Sequence, residues 1–397
     1  MKSVAIVGAS LAGLRSAQEL RTQGYDGEVV LVGEEPHKPY DRPPLSKAFL
    51  AGTAAREELD LLDADDLTGL ELTWRLGVRA ERLDRGRILL SDGRQLHPDG
   101  VVIATGGRAR ALPGTEGVTG VHTLRTLEDA LALRAALTDG SPKVVIVGAG
   151  FIGAEVASTC RGLGLDVTVL EALPAPLAPV LGPELAAVCA GLHAGHGTDL
   201  RCGVLVDGLL TAADGPRGPR VTGVRLAGGE ELPADVVVVG IGMTPATEWL
   251  TGSGLTVDNG VHTDSGLVTA IPAVVAVGDV ARYASAGTGL LRRHEHWTNA
   301  TEQAGVAVAN LLAGHSAREY VPSGYVWSDQ YSARLQLAGH PAPGDTVSFV
   351  DGSPADGAFV ATYHRDGETV GVFAMNNAKL FNRLRRQALR RPAAATS

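Results

Sequence analysis

Two glycine turns carry the chemistry written most plainly in this chain. The first runs Gly8-Ala9-Ser10-Leu11-Ala12-Gly13, and the second, 140 residues on, Gly148-Ala149-Gly150-Phe151-Ile152-Gly153. In such a turn the first glycine permits a tight bend. The middle position lets backbone N–H groups approach a pyrophosphate, and the last lets the following helix pack close on its strand. The N-terminus of that helix then favours the phosphate charge. Each turn is answered by an acid, Glu34 at 21 residues past Gly13 and Glu171 at 18 past Gly153. A carboxylate there accepts hydrogen bonds from ribose hydroxyls; the plain alternative is a solvated acid at a strand end. Ser10 stands where the pattern asks for glycine, and serine is the smallest polar substitute. After Glu171 come Ala172, Leu173 and Pro174, with no arginine to receive a 2′-phosphate. The second turn is therefore expected to prefer NADH to NADPH.

The elements that must position these residues repeat. Residues 2–35 and 142–172 each read as an apolar strand, a glycine turn, a helix and a second strand ending in an acid. One such unit binds one dinucleotide, and two suggest two dinucleotides facing each other, a device for moving electrons. Runs from Val101 to Gly107 and from Val236 to Gly242 close the two units in matching places. Short apolar runs bounded by glycine read as buried parallel strands. Residues 241–316, with Ala273 to Asp279 and a helical stretch Asn299–Ala313, look like a return to the first domain. The expected fold is α/β: two Rossmann-like dinucleotide-binding domains, 1–112 with 241–316 and 113–240, plus a C-terminal α+β domain over 317–397. That last region shows alternating strand patterns at Arg334–Ala338 and Phe359–Tyr363, then a basic helix, Ala378–Arg391.

The bulk numbers exclude some classes. A net charge of −9 argues against a nucleic-acid partner. Apolar runs such as Val236–Val239 fall far short of the ~20 residues a bilayer span needs. A first strand at Ser3 leaves no room for a signal peptide, so the cytoplasm is the expected location. Cys160, Cys189 and Cys202 form no C-x-x-C or C-x4-C pair and are expected to be buried, inert thiols. His294 and His296 have no evident ligand set, so no metal is expected.

Further motifs make the reading specific. Pro39-Tyr40-Asp41-Arg42-Pro43-Pro44-Leu45-Ser46-Lys47, Ala104-Thr105-Gly106-Gly107-Arg108, Leu124-Arg125-Thr126-Leu127-Glu128-Asp129, Val277-Gly278-Asp279 and Val326-Trp327-Ser328-Asp329-Gln330-Tyr331 occur in this order. With them nearly the whole chain resembles the FAD-dependent NADH:ferredoxin reductases, which serve cytochromes P450 and Rieske oxygenases. The resemblance implies an FAD site from Gly8, Ser10, Leu11, Ala12 and Gly13 at the pyrophosphate and Glu34 at the ribose. It adds Arg42 and Lys47 along the cofactor, Ala80 at the adenine end, and Thr105 and Gly106. Arg125 would approach the flavin, Asp279 the ribityl chain, and Trp297 the pyrimidine edge where the Asn299 helix begins. It implies an NADH site from Gly148, Gly150, Phe151, Ile152, Gly153, Glu171 and Gly242.

Lys47 and Glu155 are the expected catalytic pair. Glu155 in the first turn of the second unit's helix complements the helix dipole by itself, at about 0.3–1 kcal/mol. In relatives an acid and a lysine at these motif positions meet beside flavin N5. A lysine ammonium there favours reduced flavin and orients the nicotinamide. With no cysteine pair, the electrons are expected to leave singly to an acidic iron–sulfur ferredoxin. Docking candidates are Arg292 and Arg293 and the terminal helix with Lys379, Arg383, Arg385, Arg386, Arg390 and Arg391. Two rivals stay open: a rubredoxin or monodehydroascorbate reductase, and a redox-sensing interaction protein like apoptosis-inducing factor.

Overall fold

A computed structural model describes residues 1–213, 218–286 and 289–388. Contacts divide the chain into two units, both discontinuous in sequence. The first holds Met1–Asp41, Glu57–Arg108 and Met243–Ser323; the second holds Arg42–Arg56, Ala109–Gly242 and Gly324–Ser397.

The first unit is built on a five-stranded sheet ordered Val274–Ala276, Gly100–Ile103, Ser3–Val7, Glu28–Gly33, Leu72–Leu76, and every neighbouring pair is parallel. Its strands read as continuous apolar runs because both faces are covered. Val4, Ile6, Val29, Leu31 and Val102 pack on one side with helix residues Leu20, Ala307 and Leu311; Ala5, Val7, Val32 and Ile103 pack on the other. A buried side chain of this size contributes about 1.5–3 kcal/mol, so the Ser3–Val7 strand is held firmly beneath the glycine turn at its end.

The second unit contains a matching parallel sheet ordered Asp199–Cys202, Val167–Glu171, Val144–Val147, Val236–Val239, Val121–His122. It also contains an antiparallel sheet of five strands, ordered Val326–Gln330, Ala333–Gly339, Glu368–Met375, Ala358–Arg365, Thr346–Ser353, followed by helix Ala378–Ala388. Leu335, Phe359 and Phe373 from that sheet share a core with Leu181, Leu185 and Cys189 of helix Ala178–Gly195. The fold class is therefore α/β with two parallel nucleotide-type cores and a C-terminal α+β region, as the sequence leads one to expect.

Residues 42–56 go with the second unit although the sequence around them belongs to the first. Leu50 is buried in the core formed by Val144, Ile146, Val156 and Val169, which accounts for the placement. Among the described residues no helix is long and apolar enough to cross a membrane.

Candidate active site

In the first unit, the turn after Ser3–Val7 is closed by backbone at both ends. Gly8 has φ +120°, and a Cβ there would lie 2.1 Å from the Ala104 carbonyl oxygen. A Cβ on Gly13 would lie 1.8 Å from the Gly8 carbonyl oxygen. Ser10, in extended backbone, is the N-cap of helix Leu11–Thr22, and Leu11 and Ala12 are buried behind it. The helix therefore offers its first N–H groups from a turn that only glycine can make.

Glu34, just past strand Glu28–Gly33, is exposed and meets Arg108 at 3.1 Å and Arg79 at 3.8 Å. Exposed pairs of this kind are worth about 0–1 kcal/mol, so they hold the carboxylate only loosely. Ala80 is buried at the start of strand Ala80–Asp84. Thr105 donates its hydroxyl to the Ala246 carbonyl at 2.7 Å, and the Gly106 carbonyl accepts from the Ala246 N–H at 3.0 Å. The Gly278 N–H donates to Gln303 Oε1 at 2.6 Å, and the Asp279 carbonyl accepts from Arg293 at 3.1 Å. Trp297 is the first residue of helix Trp297–Ala313 and donates its indole N–H to Asp41 at 2.7 Å. The helix thus begins two residues before the expected Asn299. Burial holds the His296 imidazole below its ordinary range, with Asp279 acting the other way. A glycine turn, a helix N-terminus and an exposed acid just past the second strand suit the adenosine diphosphate part of a dinucleotide.

The second unit repeats the turn after Val144–Val147. Gly148 has φ +101°, its N–H donates to the Leu170 carbonyl at 2.7 Å, and a Cβ would lie 2.4 Å from the Gly240 carbonyl oxygen. A Cβ on Gly153 would meet the Gly148 carbonyl oxygen at 2.0 Å, whereas one on Gly150 meets nothing within 4 Å. Gly150 caps helix Phe151–Gly162; Ile152 is exposed, and Phe151 packs on the C-terminal core. Glu171 ends its strand with both oxygens engaged, Oε2 by the Ala149 N–H at 2.7 Å and Oε1 by the Leu173 N–H at 2.9 Å. The acid is thereby fixed at the rim of the turn. The Gly242 carbonyl accepts from the Arg110 N–H at 3.0 Å. This half also fits a dinucleotide.

Lys47 and Glu155 meet in the second unit at 2.6 Å, with the Glu155 side chain 4% exposed and that of Lys47 21%. Lys47 also donates to the Pro43 carbonyl at 3.0 Å. Ser46 donates its hydroxyl to Glu155 Oε2 at 2.6 Å, and Ser328 donates to Oε1 at 2.7 Å. Arg42 donates to the carbonyl of Arg125, whose N–H is held by Asp129 at 2.9 Å in the capping box of helix Leu127–Leu137.

Several expectations change. Arg293 is not a docking residue, because its side chain is only 9% exposed and its guanidinium holds the Asp279 turn, Glu295 and Asn259. Cys160 and Cys189 are buried, and burial pushes both thiols up to about 12; Cys202 is only half-buried, beside Glu171 across the strand pair. His294 bonds Tyr283 at 2.8 Å, and among the described residues no group of histidines, cysteines and acids could hold a metal. Arg390 and Arg391 lie outside the described residues. Sequence reasoning missed Arg79 and Arg108 at Glu34, and Ser46, Ser328 and Gln330 around Glu155. Both serines and the glutamine lie in the Pro39–Lys47 and Val326–Tyr331 motifs but carry no spacing signal that names a partner.

Comparison with known proteins places the chain. The pyridine nucleotide-disulphide oxidoreductase family matches residues 2–304, and the reductase C-terminal family matches residues 325–396. Rhodocoxin reductase of Rhodococcus erythropolis is 38% identical over 95% of this chain and 87% of its own length. The ferredoxin–NAD(+) reductase component of the anthranilate 1,2-dioxygenase system of Burkholderia cepacia is 38% identical over 94% and 90%. The reductase in the covalent putidaredoxin reductase–putidaredoxin complex superposes with TM-score 0.90 at 36% identity, covering 97% of this chain and 92% of that one. With both nucleotide turns and the C-terminal sheet matched from end to end, the chain belongs to the pyridine nucleotide-disulphide oxidoreductase family, among its FAD-dependent ferredoxin reductases.

Proposed function

We propose that this chain oxidises NADH and passes the electrons singly to an acidic iron–sulfur ferredoxin that supplies a cytochrome P450 or Rieske oxygenase. The observation that carries the reading is the combination of two dinucleotide cradles with three cysteines that form no pair. A disulfide reductase needs a redox-active cysteine pair; here two of the three thiols are buried and protonated.

FAD, when bound, accepts a hydride from the nicotinamide and releases the electrons one at a time. The protein's part is binding, orientation and electrostatics. The turn Gly8–Gly13 and the helix it opens bind the FAD pyrophosphate, with Glu34 on the ribose. Thr105, Gly106 and Asp279, the last steadied by Arg293, would line the same cofactor. The N-terminus of Trp297–Ala313 would turn its dipole toward the flavin and favour negative charge there. Gly148, Gly150, Ile152 and Gly153 take the NADH pyrophosphate, and Glu171 its ribose. Lys47, fixed by Glu155, would offer a positive charge that favours the reduced cofactor. Glu171 repels a 2′-phosphate, and no lysine or arginine follows it before Gly182, which supports NADH over NADPH. Three unpaired thiols, two of them buried, support a cytoplasmic location.

The test is reduction of the FAD-loaded protein by NADH and by NADPH, followed by steady-state reduction of a panel of purified ferredoxins. Rapid bleaching by NADH, at least tenfold slower bleaching by NADPH, and ferredoxin-dependent cytochrome c reduction are expected. Bleaching with no ferredoxin turnover would leave the electron-acceptor reading without support and favour a sensor.

A further inference from the structure

We propose that Ser328, on the C-terminal sheet, is a positioning residue for Lys47, acting through Glu155; the inference rests on the reductase reading above. Glu155 is buried in the second helix of the duplicated pattern, and a carboxylate taken out of water must be met by donors. Two of its donors, Ser46 and Lys47, are neighbours in sequence and share Oε2. A carboxylate held at one oxygen alone can swivel about that oxygen and carry its lysine with it. Ser328, 173 residues away, holds the other oxygen at 2.7 Å and fixes the plane.

The direction of the hydroxyl is itself set. Gln330 lies two residues on, so its side chain shares the strand face of Ser328, and both are fully buried. Gln330 Nε2 donates to Ser328 Oγ at 3.2 Å. That fills a lone pair and leaves the single hydroxyl proton for Glu155. The cost is visible: Gln330 Oε1 is buried and has no partner. Turning the amide over would bring that oxygen to Ser328, take its proton and release Glu155. The chain of donors therefore runs Gln330 to Ser328 to Glu155, and it ends on the acceptor that locates the Lys47 ammonium. With Glu155 and Pro43 each taking one of its hydrogens, the ammonium keeps a third for another acceptor.

The test is a double-mutant cycle on FAD-loaded protein, with the rate of flavin reduction by NADH and the NADH dissociation constant both measured by stopped flow. Ser328→Ala should leave FAD content and NADH affinity unchanged and slow reduction by about tenfold, as the loss of an outer partner does at metal sites. In a Lys47→Met background, Ser328→Ala should have no further effect, because nothing is left to position. A wild-type rate in Ser328→Ala, or the same slowing in both backgrounds, would overturn the proposal. If Ser328→Ala does not retain FAD, Gln330→Met goes through the same cycle under the same two criteria, with a two- to threefold slowing expected. Wild-type protein that NADH does not bleach would instead sink the reductase reading itself.

Discussion

Ser10 and Gly150 occupy the same place in the two turns, and their difference is informative. A Cβ at Gly150 would find open space, so the middle position tolerates a small side chain, and the first copy already carries one. The end positions do not. Gly153→Ala places a Cβ 2.0 Å from the Gly148 carbonyl oxygen and must move the helix off its strand. We expect Gly153→Ala to raise the NADH KM at least tenfold with FAD content intact, and Gly150→Ser to leave the fold unchanged; KM, FAD absorbance and circular dichroism check both. These glycines were legible in the sequence because the requirement is local backbone geometry. Ser46 and Ser328 were not, because they act on a residue 109 and 173 positions away and a hydroxyl's partner leaves no periodicity.

Among the helices, Ala378–Ala388 separates packing from display. Phe381 is buried in the cluster with Val360 and Ala374, with Leu384 against it, while Lys379, Arg383 and Arg386 are exposed. Arg385 is half-buried, its guanidinium 4.7 Å from the centre of the Tyr325 ring, which stacks on Trp327. The cations this helix exposes are therefore Lys379, Arg383 and Arg386, while Arg385 is committed to its stack, and those three form the docking face to be tested. Arg383→Gln with Arg386→Gln should raise the ferredoxin KM roughly three- to tenfold and flatten its salt dependence, with flavin reduction by NADH unchanged. An unchanged KM would remove this helix from the docking face. The helix and its apolar stripe were readable from period alone; the Arg385 stack needed the partner strand.

For the whole molecule, one buried histidine ties stability to pH. His193 is fully buried, with Nδ1 2.8 Å from the Tyr331 hydroxyl and no partner for Nε2. Burial first, and His196 second, lowers its pKa from 6.5 to about 4. Below pH 6.5 the unfolded chain takes up a proton that the folded one refuses. Stability is complete above that pH and falls as pH drops toward 4, by up to about 1.4 kcal/mol per pH unit. Urea midpoints at pH 7.5 and 5 should fall further apart for the wild type than for His193→Gln. At this scale the α/β class and the duplicated unit were legible, because buried parallel strands advertise themselves as apolar runs. The membership of residues 42–56 was not, since it depends on Leu50 and Ser46 finding a core encoded about a hundred residues later.

That placement sets an order of assembly on the ribosome. Thr159 donates its hydroxyl to the Ser46 carbonyl at 2.7 Å, Lys47 waits for Glu155, and Leu50 waits for Val144 and Val169. At 5–20 residues per second, residues 42–56 emerge about 5–20 seconds before the helix that receives them. The first unit waits longer, because its sheet lacks the Val274–Ala276 strand until most of the chain is made. The first sheet therefore stays one strand short while the second, whose strands all lie between Val121 and Val239, is completed, and firm capture of FAD by the Gly8 turn is expected only near the end of synthesis.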